Sequence, residues 1–252
     1  MKTGAGLALT VVTYNIHKGF SALNGRLVVH EIRERLRSLS PDVVFLQEVQ
    51  GAHSRHSRRH LTWPEAAQHE FLAYEGEHSA YGMNAQYRDG HHGNAIVSRY
   101  PILRSENLDI SHHALESRGL LHCEMAVPGW EEPLHCINVH LGLWARSRRF
   151  QLEWLCERIR ESVPEHAPLV VAGDFNDWRG TASKLLGREL GLAEAFQSAQ
   201  GRHARSFPAR LPLLALDRIY VRGLKVGVTQ RLSEGLWSGL SDHAALAARL
   251  SR

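Results

Sequence analysis

Cysteine is scarce in this chain. Three residues in 252, Cys123, Cys136 and Cys156, cannot build a complete disulfide framework, and they lack the paired spacing of a zinc site. Reduced, partly buried thiols in a reducing compartment are the expectation, and the cytoplasm is the location it implies. No run approaches the roughly 20 apolar residues needed to span a bilayer. The start, Met1-Lys2-Thr3 followed by Gly4-Ala5-Gly6, offers no convincing secretory leader, since the short apolar stretch after it already reads as a strand. No low-complexity segment, short repeat or Pro/Gly/Ser-rich linker breaks the middle of the chain. Composition, 43% hydrophobic and 22% charged, excludes a disordered chain, a collagen-like repeat and a coiled coil. What is present in excess is weak positive charge. A net charge of +4, with 17 histidines in reserve, favours an anionic partner: nucleic acid, a phosphorylated small molecule or an anionic lipid surface.

The chain contains two similar units. Leu7 to Ile16 is a β-rich run ending at Asn15. Val28, Val29, Ile32, Leu36 and Leu39 then recur at helical spacing, and Pro41 stops the helix. Asp42 to Val49 (DVVFLQEV) is a continuous apolar run that carries Glu48 near its end. Further on, Leu134 to Leu141 (LHCINVHL) brings Asn138 and His140. Leu152, Leu155, Cys156 and Ile159 mark an amphipathic helix, and Leu169 to Asn176 (LVVAGDFN) ends in Asp174 and Asn176. The interval from Asn15 to Glu48 and that from His140 to Asp174 differ by one residue. Two such units without a linker imply a pseudo-symmetric α/β protein with one shared site. Asn94 to Ser98, Gly119 to Val127 and Leu216 to Val221 read as further strands, and Gly51 to His69 as a polar loop. Asp217 is a charge planted on an apolar strand, and Ser241-Asp242-His243 precedes a short apolar stretch.

A single charged group in an apolar strand can be a satisfied structural carboxylate. Here four carboxylates, two asparagines and two histidines recur at equivalent places, and burying that set unpaired would cost several kcal/mol per charge. A hard divalent cation offsets clustered negative charge through carboxylate and amide oxygens. Histidines paired with aspartates serve as acid, base or phosphate-facing donor.

The motifs TYNIHKG from Thr13, LQEV from Leu46, HHGNAIVSRYPI from His91, NVHL from Asn138, GDFND from Gly173, LDRIYV from Leu216 and SDHAAL from Ser241 occur in one order. Together they resemble the endonuclease/exonuclease/phosphatase superfamily, which includes DNase I, AP endonucleases, inositol polyphosphate 5-phosphatases and bacterial neutral sphingomyelinases. The resemblance spans about Val11 to Leu250. It implies an α/β fold, a four-layer α/β sandwich of two packed mixed β-sheets flanked by helices, and a single domain over residues 1–252. It also implies Mg²⁺-dependent phosphoester hydrolysis, with Mn²⁺ as a substitute. Carried over residue by residue, Asn15, Glu48 and Asp242 match the metal environment. Asp174 and Asn176 match the pair that orients the nucleophile and holds the phosphate. His243 matches the histidine at the scissile phosphate, with Asp217 its orienting partner, and His140 a second, acid–base histidine of the DNase I and sphingomyelinase branches. The glutamate that supports this second histidine in DNase I has no counterpart, because Tyr81 to Arg88 carries no carboxylate before Asp89. Tyr87 lies near the place of the AP-endonuclease tyrosine. Asn84 and Asn94 are candidates for phosphate-facing amides, with turn asparagines as the alternative.

Substrate contacts are expected from Arg118 and from a cluster of Arg146, Arg148 and Arg149 at the start of the second unit's helix, where the dipole disfavours cations. A solvated helix start is the alternative. His56 and His60 are four apart, as in helical zinc pairs, although a solvated or anion-contacting loop fits that stretch better. Trp144 and Trp178 flank the mouth, where they would stack on a base, touch lipid or pack inward. Leu211-Pro212-Leu213-Leu214 is the nearest thing to a membrane-docking hairpin, and it is expected to pack against the final strands. The overall expectation is a monomeric phosphodiesterase acting on nucleic acid, with no protein partner. A phospholipid or small-molecule phosphohydrolase is the alternative, and a catalytically dead binding scaffold the third reading, which metal titration would separate.

Overall fold

The computed structural model describes residues 8–22 and 25–252. The readings made on Met1 to Leu7 lie outside the described residues. Twelve strands form two six-stranded sheets. The first follows the order β11-β12-β1-β2-β4-β3, built from Lys225–Leu232, Ala245–Ser251, Ala8–Asn15, Val43–His53, Gly90–Ser98 and His78–Tyr87. The second runs β5-β6-β7-β8-β10-β9, from Ile102–Asp109, Gly119–Met125, Leu134–His140, Leu169–Asp174, Asp217–Arg222 and Ala193–Glu194.

The continuous apolar runs became the sheet centres. β1 and β2 pair in parallel across α1 (Val29–Leu39), and β7 and β8 pair in parallel across α4 (Ala145–Ser162). Both strand pairs are buried on two faces, so their side chains are apolar on both sides, as parallel strands require. One core lies between the sheets, where Val11, Phe45 and Ile96 of the first meet Leu121, Val170 and Ile219 of the second. A second core packs α4 and α5 (Thr181–Leu190) on the outer face of the second sheet, through Leu152, Leu155, Ile159 and Leu186. A third packs α1 on the first sheet through Ile32 and Leu36. The result is helix, sheet, sheet, helix: the expected four-layer α/β sandwich.

The stretch Gly51 to His69 departs from expectation. β2 continues to His53, α2 occupies Ser54–Arg59 and α3 begins at Gln68. The side chain of His53 accepts a bond from the His56 amide and so caps α2, which gives this polar stretch a helix without an apolar face.

Candidate active site

Sheet register gathers the site before any side chain is considered. Asn15 ends β1 opposite Gln47 of β2, so Glu48 lies one residue beyond it. On the other sheet, His140 pairs with Asp174 in the parallel β7–β8 ladder, and Asp174 pairs with Asp217 in the antiparallel β8–β10 ladder. Three polar side chains therefore stand in one row at one end of the second sheet. The sheets are stacked so that this row faces Asn15 and Glu48. The Asn15 amide bridges the gap, donating to Asp174 Oδ2 at 3.3 Å and approaching Glu48 Oε1 at 3.5 Å.

Local backbone geometry aims several groups. The β2–β4 register shifts between Leu46 and Val49, and Glu48 sits in that bulge at φ 55°. A bulge with a left-handed, non-glycine residue turns a side chain off its strand, at a cost that functional sites commonly carry. Asn176 is also left-handed, at φ 49°. Its amide nitrogen donates to Asp174 Oδ1 and its side chain donates to the Leu141 carbonyl, both at 2.9 Å. Ser241 Oγ donates to the Asn15 carbonyl at 2.7 Å and accepts from the His243 amide at 3.2 Å, which fixes the Ser-Asp-His turn onto β1.

His243 Nδ1 and Asp217 Oδ2 are 2.8 Å apart and both residues are buried. The other ring nitrogen lies 3.8 Å from Asp174 Oδ2, and His140 Nε2 lies 3.5 Å from the same oxygen. Asp174 is thus the partner that His140 lacks in the sequence. Burial disfavours the imidazolium of His243, but Asp217 and Asp174 outweigh it and raise the pKa to about 10. His140 goes the other way. Burial first, then the Arg118 guanidinium, hold it well below the usual histidine range despite Glu48. One histidine is a stored acid and the other a neutral imidazole. Burial raises the Asp174 carboxyl, with Asp217 adding to it and His243 opposing. Burial also works against ionising Glu48, yet His140, Lys18, His17 and His92 prevail and bring its pKa to about 2.

Sequence reasoning passes over His17 and Lys18, although both stand inside the TYNIHKG motif. They form a tight left-handed turn, at φ 46° and 59°. It is pinned where the His17 amide donates to Asn15 Oδ1 at 3.1 Å. The turn carries His17 Nδ1 to 3.4 Å from Asp242 Oδ1 and Lys18 Nζ to 3.3 Å from Glu48 Oε2. The signal was the motif itself, but its meaning depends on dihedrals that no spacing rule reveals.

The expected substrate contacts divide. Arg118 lies beside the site, close enough to His140 and His92 to depress both, and its Nε is buried without a partner. Arg146 and Arg149 are exposed, and Arg149 pairs with Glu153 at 3.1 Å. Arg148 does not join them. It is buried, donates to the carbonyls of Gly142 and Leu143, and lies over the Trp178 ring at 5.0 Å, so it braces the loop before its own helix. Asn94 is fully buried within β4 and donates to the Gly119 carbonyl at 2.9 Å, tying the sheets together; it is neither a turn residue nor open to a phosphate. Tyr87 hydroxyl accepts from Gln50, Asn84 packs against Gly119, His56 stacks on Trp63, and His56 and His60 both lie against the Phe20 ring. Trp144 and Trp178 are exposed. Leu211, Leu213 and Leu214 are exposed too, contrary to the expectation that they pack against the final strands.

A divalent cation suits these donors. Among the described residues, the ligand atoms of Asp174, Asp217 and His243 lie within 4.8 Å of one another. That group is already committed, because His243 Nδ1 and Asp217 Oδ2 are bonded to each other. Glu48 could also hold a cation: its carboxylate is kept ionised, attracts the Lys18 ammonium and stands beside the Asn15 amide group.

Residues 12–243 match the model of the Endonuclease/Exonuclease/phosphatase family. The chain is 46% identical over 241 residues to the uncharacterized protein YbhP of Escherichia coli (strain K12), covering 95% of each. Its fold is shared with an endonuclease/exonuclease/phosphatase from Beutenbergia cavernae, at TM-score 0.77 and 19% identity over 97% of this chain and 71% of that one. TDP2 of D. rerio, solved in complex with a single-strand DNA product, superposes at TM-score 0.73 and 20% identity, covering 97% of this chain and 99% of that one.

Proposed function

Because the chain belongs to the Endonuclease/Exonuclease/phosphatase family, we propose that it is a Mg²⁺-dependent phosphodiesterase whose site is the cluster around Asp174. The observation that carries this reading is the convergence on one carboxylate oxygen of the Asn15 amide, the His140 imidazole and the His243 imidazole, with Glu48 adjoining. Glu48, Asn15 and Asp242 would hold the cation. Bound there, it supplies positive charge against the phosphate and the developing leaving-group oxygen.

The chain's own residues do the rest. Asp174 accepts a hydrogen bond from the attacking water and aligns it, with Asn176 holding the turn that presents the carboxylate. His243 is protonated at neutral pH and locked at Nδ1 by Asp217, so its Nε2–H faces the phosphoryl group as a charged donor. His140 is neutral, so it serves as a hydrogen-bond donor or proton acceptor instead of a standing acid. Arg118 adds a cation on the substrate side. The site draws on both sheets of this one chain, which supports the reading of a single domain acting as a monomer.

Nucleic acid is the substrate the sequence reading favours, and the fold is that of a protein solved with a DNA product. A second substrate class, phospholipid, has an observation of this chain behind it: the arginine cluster has lost Arg148 to the interior while Leu211, Leu213 and Leu214 face outward. Hydrolysis of bis-p-nitrophenyl phosphate, plasmid, single-stranded DNA and a phospholipid, with Mg²⁺, Mn²⁺ or EDTA, tests the reading. Metal-restored turnover of the small diester is expected. Failure to hydrolyse any of the four with any metal would end the phosphodiesterase reading.

A further inference from the structure

We infer that the mouth of this site is a docking surface for an anionic phospholipid bilayer, so that the phosphodiester it acts on is presented at a membrane; this rests on the phosphodiesterase reading above. Five loops make the mouth, and each begins or ends at a site residue. The β5–β6 loop ends at Arg118, the β7–α4 loop starts after His140, and the β8–α5 loop starts after Asp174. The loop before β10 ends at Asp217, and the one before β12 holds Asp242 and His243.

Each of these five loops exposes large apolar side chains. Leu115 is 96% exposed and Trp144 72%, and Leu143 is beside it. Trp178 stands on the third loop, Leu211 and Leu213 on the fourth, and Leu236, 70% exposed, on the fifth. Their neighbours show that they are not scattered. Leu115, Arg118, Leu143 and Trp144 line one cavity of about 160 Å³. Arg148 ties the Leu143 loop to Trp178. Arg210 reaches Gly239, which joins the Leu211–Leu213 loop to the Leu236 loop. Scattered exposed leucines need no explanation, but a group gathered on the loops that carry one site does.

Charge decides what covers the rim. Arg146, Arg179 and Arg210 are exposed on the same loops, and among the described residues none has an acidic partner within 4.0 Å. Apart from Asp242, which belongs to the site and faces His17, the acids of these loops have partners. Glu116 accepts from Gln151, Asp177 caps α5 at the Ala182 amide, and Glu234 pairs with Arg231. A rim of leucine and tryptophan interspersed with unpaired arginine matches the lipid headgroup boundary, where apolar tips enter the acyl region and cations meet anionic headgroups. A polynucleotide would use the arginines and the two tryptophans, but it offers nothing for the leucines to bury against.

Co-sedimentation with vesicles tests the surface without reading activity. The wild-type chain is expected to bind vesicles of phosphatidylcholine containing phosphatidylglycerol, and more weakly those of phosphatidylcholine alone. Leu213→Ser and Trp144→Ala should each weaken that binding about tenfold, the scale of one lost buried side chain. Leu213→Ser should move neither the thermal midpoint nor the hydrolysis of bis-p-nitrophenyl phosphate, since Leu213 is exposed and lies outside the cavity that holds Arg118. No vesicle binding, or binding that both variants retain, overturns the inference. So does loss of single-stranded DNA affinity in the same variants without loss of vesicle binding, which would assign the rim to nucleic acid. Vesicle binding by a chain that hydrolyses no phosphodiester would instead sink the enzymatic reading and leave the docking surface standing.

Discussion

The roles proposed for Glu48 and His243 differ, and substitution separates them. Glu48→Gln removes the charge at the cation's seat, so metal affinity, measured by calorimetric titration, should fall together with turnover. His243→Ala removes the charged donor that Asp217 holds in place. Turnover should drop by at least about 10²-fold, the usual scale for a positioned acid or base, while metal affinity stays within a small factor of wild type. Near wild-type turnover in this variant would remove His243 from the reaction. Lys18 supplies a control of opposite sign. Its ammonium lies 3.3 Å from Glu48 Oε2 and competes with any cation for that oxygen. Lys18→Met should therefore tighten metal binding, and a weakened affinity would show that the lysine holds the ligand in place instead of competing with it.

At the scale of elements, the site depends on how closely β7 and β8 approach. Gly173 has φ 145°, and a Cβ there would run into the Val139 carbonyl oxygen. Gly173→Ala must push apart the two strands that carry His140 and Asp174. A loss of about 2–4 kcal/mol by denaturant titration is expected, within the range of a strained backbone with an intruding side chain. What was legible in the sequence follows the same elements. β1–α1–β2 and β7–α4–β8 announce themselves because parallel central strands are apolar on both faces, and their ends deliver Asn15, Glu48, His140 and Asp174. β3, β5 and β11 send no such signal. They are edge strands with half-exposed, mostly polar side chains, so neither a continuous run nor a clean alternation marks them. Arg148 could not be told from Arg146 and Arg149, since the three differ only in the side of the helix they occupy. The glycine of GDFN stands within a recognisable motif, but its reason, the carbonyl of Val139, belongs to a strand that sequence distance conceals.

The whole molecule is two sheets held face to face by polar groups as well as by apolar core. Asn138 Nδ2 donates to the carbonyls of Leu46 and Ala95 on the other sheet, each at 2.8 Å, and its Oδ1 accepts from Gln47. A second, partly buried network lies on the second sheet, linking β5, β6, β7 and α4. Glu106 holds Arg158 at 2.6 Å, Arg158 approaches His122 Nδ1 at 3.5 Å, and His122 Nε2 is 3.0 Å from His135 Nδ1. An arginine at Nδ1 makes that nitrogen an acceptor, so neutral His122 donates from Nε2 to His135. Protonation has no place here. Burial, then His135 and Arg158, bring the His122 pKa from 6.5 down to about 3, and burial lowers that of His135. In the unfolded chain both imidazoles return to their ordinary pKa, so below 6.5 the unfolded state binds the additional protons. The stability these two groups contribute is therefore complete above pH 6.5 and is lost as pH falls below it, toward 3 for His122, at roughly 1.4 kcal/mol per pH unit for each imidazole that stays neutral in the fold. Replacing both by leucine removes the titration while leaving the carboxylates of the active site unchanged. The thermal midpoint of wild type should thus fall more steeply between pH 6.5 and pH 4 than that of His122→Leu/His135→Leu, even if the double variant starts lower at neutral pH. Parallel profiles would mean that the pair accepts a proton within the fold, and acid sensitivity would then trace to a depressed carboxylate such as Glu48, whose contribution is lost as pH falls from about 4.5 toward 2.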